Sequence, residues 1–351
     1  MSGDNQTAGG DGGGAARGCA GRRIAVLGLG SMGFGMAASL LRRGAEVIGF
    51  DPDPAAMDRL RAQGGLTATS PAEAARDAEI VVSVVVNADQ TEAVLFGENG
   101  CAETMAADGV FISSATMAPQ RARDFSRRLE AAGRYYLDSP ISGGSQRAAE
   151  GALTILTSGS EAAFARAEPA IAAMGTTIYR LGDQVGQAAA FKMVNQLLAG
   201  VHIAAASEAM AFAAREGLDL KQVYDVISRS AGNSWMFENR MPHVLEGDYT
   251  PRSAVSIFVK DLGIVQQMAS ASQFPVPLAS TALQMFLMTA AAGMAKDDDA
   301  SVARLYALIS GVPLPGVAPV APATRQPATG LGAKSSSAQS ATTSPARPIS
   351  A

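Results

Sequence analysis

The sequence holds two cysteines and two histidines in 351 residues, and they do not gather. Cys19 falls in a terminal stretch, Cys101 in a loop segment, and His202 and His243 stand far apart, so neither a disulfide framework nor a zinc site can be assembled. Charge is also sparse: 17% of residues carry one, the formal net charge is −4, and basic residues come only in short pairs such as Arg42-Arg43 and Arg127-Arg128. That leaves no electrostatic footprint for nucleic acid. The opening stretch MSGDNQTAGGDGGGAARGCAGRR has no apolar core and reads as neither a signal peptide nor a membrane anchor. Apolar runs elsewhere are interrupted by charge or broken by glycine. A cytoplasmic enzyme with no nucleic-acid or membrane partner is the default reading. With 48% hydrophobic residues, the chain is long enough for two domains.

Residues 1–21 hold Gly, Ala and polar residues, too little apolar area to repay ordering, and are expected to be disordered. From Arg23 the pattern IAVLGLGSMGFGMAASLLRRGAEVIGFDPD reads as a β-α-β unit. Its glycines Gly28, Gly30 and Gly33 fit G-x-G-x-x-G at a strand-to-helix turn, with Leu29, Ser31 and Met32 between them. There the first glycine permits the tight turn, the second the approach of a pyrophosphate, and the third close helix–strand packing. Asp51 ends the second strand, where it would accept ribose hydroxyls and repel the 2′-phosphate of NADP; the plain alternative is a turn-forming aspartate in DPDP. Further βα alternation is predicted, with strands at 80–86, 110–113, 135–138, 152–157 and 177–180 and helices at 54–63 and 88–95. Together these predict one doubly wound α/β sheet, a Rossmann-type domain over 22–182.

Two loops fall at carboxyl ends of those strands. In SSATMAP, Thr116 can reach a cofactor. In DSPISGGSQRAAEGAL, Ser142, Gly143 and Gly144 offer a hydroxyl and backbone N–H groups ahead of a helix, an anion site suited to a carboxylate or, read plainly, a simple turn.

The segment 182–217 has no proline and is crowded with Ala, Leu, Met and Val, predicting one long helix with Asp183 as N-cap and Gly217 as its stop. Apolar residues around nearly its whole circumference predict burial on all sides. Lys192 stands out against that background: a buried ammonium has its pKa pulled toward neutrality and can exchange a proton near pH 7. Asn195 lies one turn on. The competing reading has Lys192 snorkelling to solvent and Asn195 capping a neighbour. Four later segments of helical period predict an all-helical domain over 183–311, and the Pro-, Ser- and Thr-rich stretch 312–351 predicts a disordered tail.

On GLGSMGFGMA at 28–37, DSPISGG at 138–144, GQAAAFKMVNQ at 186–196 and FVKDLG at 258–263, the sequence resembles the NAD(P)-dependent β-hydroxyacid dehydrogenases, which include 3-hydroxyisobutyrate and tartronate semialdehyde dehydrogenases. The resemblance covers about residues 23–310. It implies a Rossmann domain joined by a long helix to a helical domain that also forms the interface of a homodimer or homotetramer. It implies NAD as cofactor and a small hydroxy acid as substrate. By resemblance, Lys192 is the acid/base, Asn195 with Ser142, Gly143 and Gly144 holds the carboxyl end, and Thr116 and Lys260 lie near the nicotinamide. The family's usual Leu-Pro in the cofactor loop is Val85-Val86 here, and its Ser-Thr pair is Ala115-Thr116; both loops contact cofactor through backbone, so affinity should shift and binding persist. Within the family, residues 202–220 and 231–263 look like those of members acting on a four-carbon polyhydroxy acid.

That chemistry needs a hydride acceptor and a base, and a lysine in apolar surroundings supplies the base without metal, in keeping with the scarcity of His and Cys. Asn233, Ser234 and Trp235, in a break between helices, are candidates for hydrogen-bonding the distal hydroxyls; equally they read as a helix cap followed by a core tryptophan. Competing functions are a reductase of another small keto acid or semialdehyde on the same residues, and a non-catalytic NAD-sensing module.

Overall fold

The run at 23–27 forms strand β1 (Arg23–Leu27), buried on both faces because its side chains feed two cores at once. Ile24 and Val26 join one apolar cluster and Ala25 and Leu27 the other, the period-2 alternation expected of a central strand. The computed structural model describes residues 18–318. Around β1 the chain winds through α1 (Gly33–Arg42), β2 (Glu46–Phe50), α2 (Pro54–Ala62), β3 (Leu66–Thr67), α3 (Pro71–Ala74), β4 (Ile80–Ser83), α4 (Ala88–Phe96), β5 (Val110–Ser113), α5 (Pro119–Ala131) and β6 (Tyr135–Asp138). The six strands form one sheet in the order β3-β2-β1-β4-β5-β6, with every pair parallel. The order reverses between β1 and β4, which opens a crevice at their carboxyl ends.

The expectation of a single sheet is corrected past Asp138. Strands β7 (Ile141–Ser142), β8 (Leu153–Thr157) and β9 (Gly175–Arg180), with helices α6 (Gly144–Glu150) and α7 (Glu161–Met174) between them, make a separate sheet in which β7 runs antiparallel to β8. An isolated bridge from Asp138 to Ser158 joins the two sheets. The physical reason lies in burial: β8 buries alternate residues and keeps the others half-exposed, unlike the fully buried β4 and β5, so it belongs on a one-sided sheet.

Helix α8 (Gln187–Arg215) runs 29 residues, roughly 44 Å at 1.5 Å per residue. Its N-cap is Gly186 at φ +96°, not Asp183, and Glu216 followed by the left-handed Gly217 ends it. Helices α10 (Trp235–Glu246), α11 (Val255–Ala271), α12 (Pro277–Thr289) and α13 (Val302–Ser310) pack on it, and α9 (Leu220–Ile227) follows its end. Among the described residues α8 is the one helix long and apolar enough to cross a membrane by length and composition, and half of that window is buried by these neighbours. Burial on all sides is nevertheless corrected: Phe191, Val194, Leu198 and Phe212 are exposed, leaving an apolar stripe bare. Helix α10 went unread in the sequence because Pro242 interrupts its pattern.

The described inner ends of both stretches expected to be disordered are ordered. Cys19 is buried, its Sγ donating to the Pro169 carbonyl at 2.9 Å, and Gly21 N donates to Gly44 O, so 18–21 belong to the sheet domain. At the other end Val312 and Leu314 are buried and Tyr249 Oη reaches Pro315 O, because two apolar side chains suffice to dock 312–318 on the helices. Residues 1–17 and 319–351, where the rest of both expectations falls, lie outside the described residues. Cys101 is buried as well, not in an open loop.

Candidate active site

The three glycines after β1 each answer a different constraint. Gly28 sits at φ +93°, and a Cβ there would lie 2.9 Å from the Val84 carbonyl oxygen; at Gly33 it would lie 1.9 Å from Gly28 O. At Gly30 nothing stands within 4 Å. The first and third are thus fixed by backbone packing, while the second faces open space where a pyrophosphate can approach. Helix α1 starts there with neither a capping side chain nor an acidic residue in its first turn, which leaves its N-terminal amides and positive dipole end for an anion. These residues fit a dinucleotide.

Asp51 forms the turn that the sequence offers as its plain reading, and it also reaches back to the glycine loop. Its Oδ1 accepts from Asp53 N at 2.9 Å, forming the turn, and its Oδ2 accepts from Leu29 N at 2.7 Å, tying the end of β2 to the glycine loop. The guanidinium of Arg59, which sequence reading passed over, lies over the Phe34 ring and 3.4 Å from Leu29 O. Val84 N donates to Leu27 O and Val86 N to Gln90 Oε1, so the Val85-Val86 loop is held through backbone beside the glycines, with the Val86 side chain exposed.

The chemistry centres on Lys192. On α8, one turn past its start, it is only 8% exposed, and its Nζ donates to the Ile141 carbonyl at 3.0 Å. Burial pulls its pKa down to about 8, with the Lys260 charge pushing the same way and the Asp261 carboxylate opposing. Buried by one domain's strand end and carried by the other domain's helix, this lysine does not snorkel. Next to Ile141, Ser142, Gly143 and Gly144 turn from β7 into α6 at φ +134° and +76° for the two glycines. Helix α6 has no side-chain cap, and no atom stands within 4 Å of a Cβ built on Gly144.

Beside Lys192, and not hydrogen-bonded to it, a polar chain crosses the domain junction. Asn195, exposed at its own surface, donates to Gln196 Oε1 at 2.8 Å, and Gln196 Nε2 donates to the buried Asp261 Oδ2. Asp261 Oδ1 pairs with Lys260, whose Nζ also reaches Thr116 O at 3.4 Å. Gln196 and Asp261 lay inside motifs visible in the sequence, yet nothing there marked them, since their burial is created by α8 against α11. The same holds for Asp138, buried at the end of β6.

Asn233, Ser234 and Trp235 take the capping arrangement. Ser234 Oγ accepts from Phe237 N at 3.0 Å at the start of α10, and Asn233 Nδ2 donates to Ser228 O and Glu238 Oε1. Trp235 is 63% exposed, so it is not a core residue. No hydrogen bond joins these three to the Lys192 chain among the described residues.

Known proteins share this arrangement. Residues 23–182 match the NAD-binding domain of 6-phosphogluconate dehydrogenase, and residues 186–306 match the NAD-binding domain of NADP-dependent 3-hydroxyisobutyrate dehydrogenase. L-threonate dehydrogenase of Cupriavidus necator is 52% identical over 297 residues, 85% of this chain and 99% of that one. The Escherichia coli K12 enzyme of the same name is 45% identical over 84% of this chain and 96% of its own. A crystal structure of 3-hydroxyisobutyrate dehydrogenase from Salmonella typhimurium superposes with a TM-score of 0.77 at 48% identity, covering 81% of this chain and 99% of that one. With the glycine loop, the buried lysine and the long connecting helix all in place, the chain belongs to the 3-hydroxyisobutyrate dehydrogenase-like β-hydroxyacid dehydrogenases and is an NAD-dependent oxidoreductase acting on CH–OH groups.

Proposed function

We propose that the protein oxidises the C2 hydroxyl of L-threonate to 2-dehydro-L-erythronate, with NAD as hydride acceptor and Lys192 as acid/base. The observation that carries the chemistry is the burial of Lys192 against the Ile141 carbonyl, which pulls its pKa down to about 8. The L-threonate dehydrogenases at 45–52% identity carry the substrate.

NAD, once bound, would supply the hydride acceptor; Gly28, Leu29, Gly30, Ser31, Met32 and Gly33 would hold its pyrophosphate, Asp51 its ribose hydroxyls, Val85, Val86 and Thr116 would contact it, and Lys260 would serve its nicotinamide end. Lys192 in its amine form takes the hydroxyl proton; a pKa close to working pH keeps both the amine and the ammonium accessible. In the opposite direction the ammonium donates to the carbonyl oxygen. The Ser142 hydroxyl, the Gly143 and Gly144 amides and Asn195 hold the substrate carboxylate. For the distal hydroxyls the candidates are Asn233, Ser234 and Trp235; the Ser234 hydroxyl caps α10 with one lone pair and keeps its proton and a second lone pair for a substrate. The bare stripe of Phe191, Val194 and Leu198 on α8, joined in exposure by Phe274 and Leu278, supports a homodimer or homotetramer formed through the helical domain.

A panel of four-carbon sugar acids and small hydroxy acids, followed by NADH absorbance, tests the substrate. L-threonate should give the highest kcat/KM. Equal or better turnover of 3-hydroxyisobutyrate or glycerate would remove the threonate assignment. The same assay with NADP should give a lower kcat/KM than with NAD; equality would contradict the role of Asp51. Light scattering should find an oligomer that Phe191→Glu dissociates.

A further inference from the structure

The long helix that carries Lys192 begins without a cap of its own. Gly186 has no side chain to offer, and the first-turn amides of a helix need acceptors when they are buried. They find them roughly thirty and fifty residues back. Asp138 Oδ2 accepts from Gly186 N at 3.1 Å and from Ala189 N at 2.8 Å, while Ser158 Oγ accepts from Ala188 N at 3.0 Å and lies 3.3 Å from Asp138 Oδ2. A carboxylate from the last residue of β6 and a hydroxyl from the end of β8 thus cap α8 in trans, at the end where the helix dipole favours negative charge. Three residues after Asp138, Ile141 presents the carbonyl that receives Lys192 Nζ. Three residues after Ala189, Lys192 leaves the helix. One short loop therefore grips the helix twice, by its backbone and by its lysine.

We infer that Asp138, ionised, is a positioning residue for the reaction: by capping α8 through Gly186 and Ala189 it fixes the height and depth of Lys192 relative to the Ser142-Gly143-Gly144 turn. The inference rests on the acid/base reading of Lys192. Burial pushes the Asp138 carboxyl up to about 6, against the pull of the Ala189 and Gly186 amides, the Ser158 hydroxyl and the Arg123 charge on α5. It is therefore charged at the pH where the lysine works. Tyr136 faces it from its own strand, and Asp261 and Lys260 of α11 face Lys192.

Asp138→Asn and Asp138→Ala test this in the full chain. A reacting group displaced by about 1 Å costs on the order of 10²-fold in rate, so Asp138→Ala should lose roughly that in kcat, and Asp138→Asn, which keeps an acceptor oxygen, less. KM for NAD should stay at its wild-type value. The decisive reading is the titration of Lys192 itself, followed by lysine 13Cε NMR and assigned with Lys192→Arg. A loosened clamp lets water reach the amine, so its midpoint should move upward from about 8. If both variants lose thermal stability yet keep wild-type kcat and an unmoved Lys192 midpoint, Asp138 is merely structural and the inference is overturned. Should Asp138→Ala fail to fold, Ser158→Ala frees Ala188 N and should show the same two changes in smaller degree; an unmoved midpoint there overturns it equally. A Lys192→Ala enzyme with normal kcat would remove the acid/base reading instead, and leaves the NMR result to stand on its own.

Discussion

Two buried charge clusters sit in the helical half, and they are satisfied to very different degrees. Around Lys192 the ammonium has a single carbonyl acceptor, the carboxylate whose charge acts on it, Asp261, is paired with Lys260 and Gln196, and burial holds the lysine's pKa well below its ordinary range. Around His243 the groups are nearly all paired. Asp298 accepts from His243 Nδ1 at 2.9 Å and from the amides of Arg252 and Ala300, and Asp299 takes two bonds from Arg240. Burial alone would raise the Asp298 pKa, but His243 and those amides outweigh it and hold the carboxyl below its usual value. The second cluster ties the loop before α11 to α10 and spends its charges on architecture. The first leaves one charge under-satisfied, which is what a proton-transfer group requires.

The largest expected effect breaks the first cluster. Lys192→Ala, and to nearly the same degree Lys192→Arg, should keep the fold and NAD affinity while losing roughly 10²–10⁴-fold in kcat, because arginine keeps the charge but cannot release its proton. A Lys192→Arg enzyme of near-normal kcat would erase the contrast between the clusters.

Breaking the second cluster should do the opposite. Arg240 is 12% exposed in its side chain, and Asp299 is fully buried. Arg240→Ala strands that carboxylate, a loss of about 3–5 kcal/mol for a broken buried pair. Denaturant unfolding should show it, while kcat per folded molecule stays at the wild-type value. A large fall in kcat with stability intact would mean that the cluster belongs to the site after all.

A third change sharpens the comparison with pH. Because the folded-state pKa of Lys192 is depressed from 10.5 to about 8, the unfolded chain binds more protons between those values and stability should rise with pH across that window. The same sign means that the buried ammonium costs stability at neutral pH, by roughly 3 kcal/mol for a displacement of this size. Lys192→Met should therefore be more stable than wild type at pH 7 and lack the rise above pH 8. An unchanged pH dependence in Lys192→Met would show that the lysine is better solvated than its surroundings indicate. Oxidation itself should quicken as pH rises through about 8.

How much of this could be read from the sequence follows from the range of the forces involved. The glycine loop, Asp51 and the strands β5 and β6 were legible because turn geometry and hydrophobic period act over a few residues. Lys192 was legible because an ammonium in an apolar helix is anomalous wherever it stands. Asp138, Gln196 and Asp261 were not, since each becomes buried and paired only when β6, α8 and α11 meet, more than forty residues apart in sequence. The second sheet was missed for the same reason: period 2 identifies a strand and is silent on its partner. The apolar stripe on α8 misled, because an apolar composition does not say whether the rest of the chain covers a face.

The smallest effect separates the remaining two readings of Ser234. As the N-cap of α10 its hydroxyl accepts from Phe237 N, and replacing a capping serine by alanine costs about 1 kcal/mol. One lone pair of the hydroxyl is committed there, and a simultaneous hydrogen bond to a substrate hydroxyl would use the second lone pair or the proton. Ser234→Ala should thus lower thermal stability by that amount and leave kcat/KM for L-threonate within twofold or so, whereas a lost substrate bond would cost roughly 1–3 kcal/mol of transition-state binding, about tenfold or more. Ser234→Asn, which can also cap, should restore stability. If Ser234→Asn restores stability while kcat/KM remains low, the hydroxyl reaches the substrate, and the break before α10 belongs to the active site with Asn233 and Trp235.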